Sequence, residues 1–226
     1  MDIHKPKPWH GLREFLKEYV IIVVGVLTAL AAEQAVEWLH RRAELSEARA
    51  ALHAEIAADA RVALFTIEEV RCMVAQLDTY EAWARGGLRP LGARVRLTNY
   101  RSSTWDVVKT GAVAHMPLDE RLAYASFYDQ LANARWGLEN ARAVQTRLGG
   151  TKNRSQLGPD IAGRLEEDVE EARNVGRIRA SNAAALIKAA GALGVQARLS
   201  QTAQEEIAWQ CGLRADRPRG DGPITN

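Results

Sequence analysis

Residues 19–32, Tyr-Val-Ile-Ile-Val-Val-Gly-Val-Leu-Thr-Ala-Leu-Ala-Ala, form the one long uncharged apolar block in a chain that is otherwise rich in charge, 26% Asp, Glu, Lys and Arg. At ~1.5 Å per residue the block covers only ~21 Å of helix, whereas a bilayer core needs ~30 Å. Its flanks extend it. Lys17 and Glu18 can snorkel at one end, and Ala35 and Val36 resume apolar character after the polar pair Glu33 and Gln34. Trp9 and Trp38 then lie ~43 Å apart on a continuous helix, close to the ~40–45 Å of a bilayer with its headgroups, and act as interfacial anchors. The expected organisation is a basic leader over 1–18, a single transmembrane helix over 19–40, a helical bundle over 41–211 and a disordered tail over 212–226.

Two other readings of the block compete. A cleaved signal peptide fits the basic residues before a short apolar core and the small-x-small pattern Ala29-Leu30-Ala31. Against it stand Asp2, Glu14 and Glu18 in the leader and a helical pattern that continues past the cut. A buried core helix also accommodates an apolar run of this length.

Charge sets the expected orientation. Lys5, Lys7, Arg13 and Lys17 precede the span, and Arg41, Arg42 and Arg49 follow it. This slight excess places the N-terminus in the cytoplasm of a bacterium and the bundle in the periplasm, with the chain held in the inner membrane. Cys72 and Cys211 fit either a disulfide that pins the C-terminal segment to the first long helix or two unpaired buried thiols; the sequence leaves both open.

Beyond the block the chain reads as all-α, an N-terminal transmembrane helix continuing into an antiparallel helical bundle. No proline interrupts residues 9–89, so one helix is predicted from about Trp9 to about Arg85, with Leu45, Leu52, Ile56, Ala63, Ile67, Val70, Val74 and Leu77 as its inward stripe. Gly86 and Gly87 end it by turn chemistry. Ser102, Ser103 and Thr104 offer N-caps to a short helix reaching Lys109, and this element is expected to bury Trp105. The helix opened by Pro117 carries Tyr124, Tyr128, Leu131, Ala134, Leu138, Ala141 and Leu148 on one face and is expected to stop at Gly149-Gly150. Pro159 opens another, with Leu165, Val169, Ala172, Leu186 and Ala190 in register, and a last one runs from Ser200 to about Cys211. Trp136 and Trp209 are expected in the core. Arg94 to Tyr100 is the best strand candidate and has no partner run.

At this point the chain resembles an uncharacterised family of small bacterial single-span membrane proteins. In that family a Glu precedes an apolar run with Gly, then Ala-Leu, then Trp, followed by a helical domain. The matching residues are Glu18, Gly25, Ala29, Leu30 and Trp38, with a second region at Trp105, Thr110-Gly111, Leu122 and Tyr128. The resemblance implies the anchor and the helical domain, and no activity.

Motifs for chemistry are sparse. Glu37-Trp-Leu-His40 has the spacing of a di-iron ligand pair but no second copy, and the glycines at 87 and 92 lack the Lys and Ser/Thr of a phosphate loop. Neither an enzyme nor a cofactor is indicated, and a net charge of +2 argues against nucleic acid. Gly25, Thr28, Ala29 and Ala32 have the small-residue spacing that lets two membrane helices touch, with Glu33 able to hydrogen-bond across them. Arg89, Arg94, Arg96 and Arg101 could meet anionic lipid if their loop folded toward the membrane. The reading is a membrane-anchored structural or interaction protein, partnered by the lipid bilayer, by a second copy through the membrane helix or the bundle, or by another protein. The alternative is a sensor-like ligand-binding bundle, for which an inter-helical pocket bounded by Tyr124, Tyr128 and Arg179 would speak.

Overall fold

A computed structural model describes residues 11–90, 97–151, 154 and 156–212. The described residues are helical without a strand: α1 (Leu12–Ala84), α2 (Ser103–Val108), a short 3-10 turn (Ala112–His115), α3 (Leu118–Thr151), α4 (Pro159–Ala192) and α5 (Gln201–Gln210). The expected strand falls partly on 91–96, outside the described residues, and 97–100 has no regular structure. The leader up to residue 10, the anchor Trp9, and the tail from 213 also lie outside them.

The chain divides into two units, one ending at Glu47 and one beginning at Ala48. In the first, α1 carries an 18-residue window of mean hydropathy 2.0, none of it buried. Ile21, Ile22, Val24, Val26, Leu27 and Leu30 are all at least half exposed. The described residues of this chain therefore leave this face uncovered.

In the second unit α1, α3 and α4 pack side by side. Leu52, Ile56, Ala63, Val70 and Leu77 are buried as the periodicity required, whereas Leu45 and Ile67 are partly buried and Val74 is exposed; Phe65, Tyr80 and Trp83 join the core. A cluster of Leu77, Tyr80, Trp83, Val144, Leu148, Leu165 and Val169 joins the three helices near the end of α1. Pairings fix the directions. α4 runs antiparallel to α1, with Arg179 beside Glu69 at 3.1 Å, Arg173 beside Asp78 at 2.8 Å and Arg85, just past α1, beside Glu166 at 3.5 Å. It also runs antiparallel to α3, where Asn182 bonds the Asn133 carbonyl and Arg147 pairs with Asp168. α1 and α3 run the same way, since Arg49 meets Glu120 and Glu55 meets Tyr128. The long connection between them must return along α1, and residues 97–108 do so.

Two helix ends are Schellman motifs. At the end of α1 the Gly87 N–H bonds the Ala82 carbonyl at 2.8 Å and the Gly86 N–H bonds that of Trp83 at 3.0 Å, with Gly86 at φ +90°. α4 repeats this at Gly194 and Val195. α3 instead continues through Gly149 and Gly150 to Thr151, since neither glycine adopts positive φ. Trp136 is 58% exposed rather than buried, because it falls between the rows set by Leu131, Ala134, Leu138 and Ala141.

Candidate functional site

α1 buries an unusual set of polar groups. Glu55, Asp59, Thr66 and Glu69 recur at steps of four, seven and three, so they share one face with Leu52, Ile56, Ala63 and Val70, and all are under a tenth exposed. A charge taken out of water must find hydrogen bonds or give up its ionised form. Each of the three carboxylates meets this requirement differently.

Glu55 finds hydrogen bonds. Its carboxylate accepts from the Thr104 N–H at 2.8 Å, the Trp105 N–H at 3.3 Å, the Ser103 hydroxyl at 3.2 Å and the Tyr128 hydroxyl at 2.7 Å. Burial pushes its carboxyl up, but these donors together outweigh it and hold the group below the usual carboxylate range. Glu55 thus caps the start of α2 from another helix. The expected local cap is absent: Ser102 is the N-cap residue, yet its hydroxyl donates to Asp106 instead. The Tyr128 phenol, buried and bound to a carboxylate, is pushed up in turn.

Asp59 accepts the Arg101 N–H at 2.8 Å through Oδ1, while Oδ2 has no hydrogen-bond partner among the described residues. Burial pushes its carboxyl up to about 7, opposed by that bond. Tyr100, one residue earlier, is buried, shares a 3.4 Å contact with the Thr66 hydroxyl and gives its carbonyl to Arg135 at 3.2 Å. These bonds fasten the return segment 100–105 to α1 and α3. Trp105 is half-buried and stacks on Tyr128, ring centroids 4.6 Å apart and 12° from parallel.

Glu69 pairs with Arg179 of α4, both nearly sealed from solvent. Only Nη2 and Oε2 meet; Arg179 Nη1 and Glu69 Oε1 have no hydrogen-bond partner among the described residues. Burial raises the Glu69 carboxyl to about 7 against the pull of the guanidinium. Gly137 of α3 leaves room for Arg179, since a Cβ there would lie 3.3 Å from its Cγ.

Two hollows adjoin this seam. One, about 190 Å³, lies among α1, α3 and α4 and is walled by Leu77, Tyr80, Val144, Leu148, Ala172 and Arg179. The other, about 440 Å³, lies on the surface between α2 and α3 and is walled by Trp105, Asp106, Tyr128, Asp129, Arg135 and Trp136. Arg179 lines the first of these hollows and Tyr128 the second.

The residues singled out in the apolar block belong to the first unit. Gly25, Thr28, Ala29, Ala32 and Glu33 are exposed, Thr28 donates to the Val24 carbonyl at 2.8 Å, and a Cβ on Gly25 would meet nothing within 4 Å. Trp38 is exposed with the Arg42 guanidinium 5.4 Å from its ring centroid. Glu37 pairs with Arg41 at 3.4 Å, and among the described residues no cluster of His, Cys, Asp and Glu is arranged to hold a metal. Arg101 ties its backbone to Asp59; Arg94 and Arg96 lie outside the described residues. Cys72 of α1 and Cys211, the C-cap of α5, are joined as a disulfide with Cα atoms 4.9 Å apart. Beside it the Gln76 amide donates to the Gln210 carbonyl at 2.7 Å.

The buried carboxylates are what sequence reasoning missed. Their spacing with the apolar stripe was visible, but polar residues on a helix ordinarily mark the solvent face. No protein-family model, no curated protein and no solved structure matches this chain.

Proposed function

We propose that this protein is a membrane-anchored interaction protein: α1 crosses a bilayer with its N-terminal part, and the bundle is held on the periplasmic side of a bacterial inner membrane to dock a partner protein or a second copy. The observation that carries this reading is the apolar window of α1, mean hydropathy 2.0 and wholly uncovered. A face of that kind is stable in lipid and costly in water. The Cys72–Cys211 bond supports the exported side, because disulfides persist in oxidising compartments. The excess of Lys and Arg before the span points the same way, as does the family resemblance for the anchor. Docking is supported by the exposed Trp136 at the surface groove, an aromatic of the kind enriched at interfaces. Self-association would use Gly25, Thr28, Ala29 and Ala32, where small side chains let two backbones approach, with Glu33 bonding across.

Removing residues 1–40 tests the anchor. The full chain is expected to stay with carbonate-washed membranes, and the shortened chain to appear in the supernatant. Release of the full chain by carbonate, or a mature N-terminus at Ala32, would overturn the reading.

A further inference from the structure

The 190 Å³ hollow among α1, α3 and α4 has the build of a small-ligand site. Its described walls are largely aliphatic, with Leu77, Val144, Leu148 and Ala172 on three different helices, and one buried cation, Arg179, 4% exposed. Apolar cavities of ~150 Å³ admit a benzene-sized molecule. Here the apolar body would lie next to a guanidinium whose Nη1 has no hydrogen-bond partner among the described residues. Leaving a buried charged donor unpaired is costly, and guanidinium nitrogens pair best with a carboxylate.

We propose that this hollow binds a small monocarboxylic acid, its carboxylate on Arg179 Nη1 and its hydrocarbon body, a phenyl ring or a short chain, among Leu77, Val144, Leu148 and Ala172. The inference goes beyond the anchoring role and does not rest on it. Glu69 already faces Arg179, but only through Nη2. Burial raises its carboxyl, which weakens the charge that competes with an incoming acid for the guanidinium. Tyr100 of the return segment is within electrostatic reach of both Glu69 and Arg179, while α3 presents Gly137 to Arg179.

The test uses the full chain in lipid nanodiscs with 3-phenylpropionate as probe and 3-phenylpropylamine as its cationic counterpart, followed by calorimetry. Saturable one-to-one binding of the acid and none of the amine is expected. Ala172→Phe, which fills the hollow and leaves the ion pair in place, is expected to abolish binding. Arg179→Lys keeps the charge but removes the fork, and is expected to weaken binding at least about tenfold. Val144→Phe serves as a second filling variant should Ala172→Phe fail to fold. The inference is overturned if the parent shows no saturable binding up to about 10 mM, if the amine binds as well as the acid, or if a folded filling variant binds like the parent.

Discussion

Glu69→Ala is expected to destabilise the bundle by about 3–5 kcal/mol, more than any other single truncation on the polar seam, because it strands a guanidinium that is 4% exposed. The pair itself need not stabilise the fold. Two buried charges lose hydration that one contact at 3.1 Å returns incompletely, and two of their polar atoms stay unbonded. Replacing both partners by apolar residues of similar size, Glu69→Leu with Arg179→Met, is therefore expected to lie within about 1 kcal/mol of the parent or above it. Denaturant unfolding of the full chain in micelles, with the midpoint read at unchanged slope, separates the two results. A Glu69→Ala variant as stable as the parent would mean that Arg179 reaches water and that the seam between α1 and α4 is open.

The second large effect is expected at Cys72–Cys211. The bond closes a loop with a sequence separation of 139, the larger part of the second unit. Loop-closure entropy for that length amounts to about 5 kcal/mol, at the top of the usual range of about 2–5. α5 buries Ala203, Glu206 and Gln210, and the Gln76 amide donates to the Gln210 carbonyl at its end. Cys72→Ser with Cys211→Ser, or reduction of the parent, is expected to lower the unfolding midpoint markedly and to release α5 to proteolysis first. Equal midpoints with and without reductant would remove the disulfide from the account of stability, and with it one of the two supports for the exported side.

Much of the helical plan was legible in the sequence because its signals are local. Proline at the start of α4, the glycine pair after α1 and the 3.6-residue recurrence of apolar side chains are each read within a turn or two. The course of 97–108 was not legible. Turn residues and a short helix were visible there, but whether the segment turns back at once or travels along α1 depends on what α1 offers it, and that is Glu55 and Asp59, which bond the backbone of Thr104, Trp105 and Arg101. Carboxylates on a helix read as solvent-facing until a distant donor is known. Arg179 was legible as an interruption of the α4 row but not as the partner of Glu69, since the pairing spans 110 positions. Trp136 misled because aromatic type outweighed its position off the row.

The most direct test of the account is the side of the membrane on which the bundle lies. A periplasm-dependent phosphatase fused after Asn226 reports whether the chain has crossed a bacterial inner membrane between the leader and the bundle. The account predicts an active phosphatase and a dark fluorescent protein at the same position. An inactive phosphatase with a bright fluorescent protein would contradict it, leaving the bundle in a reducing compartment.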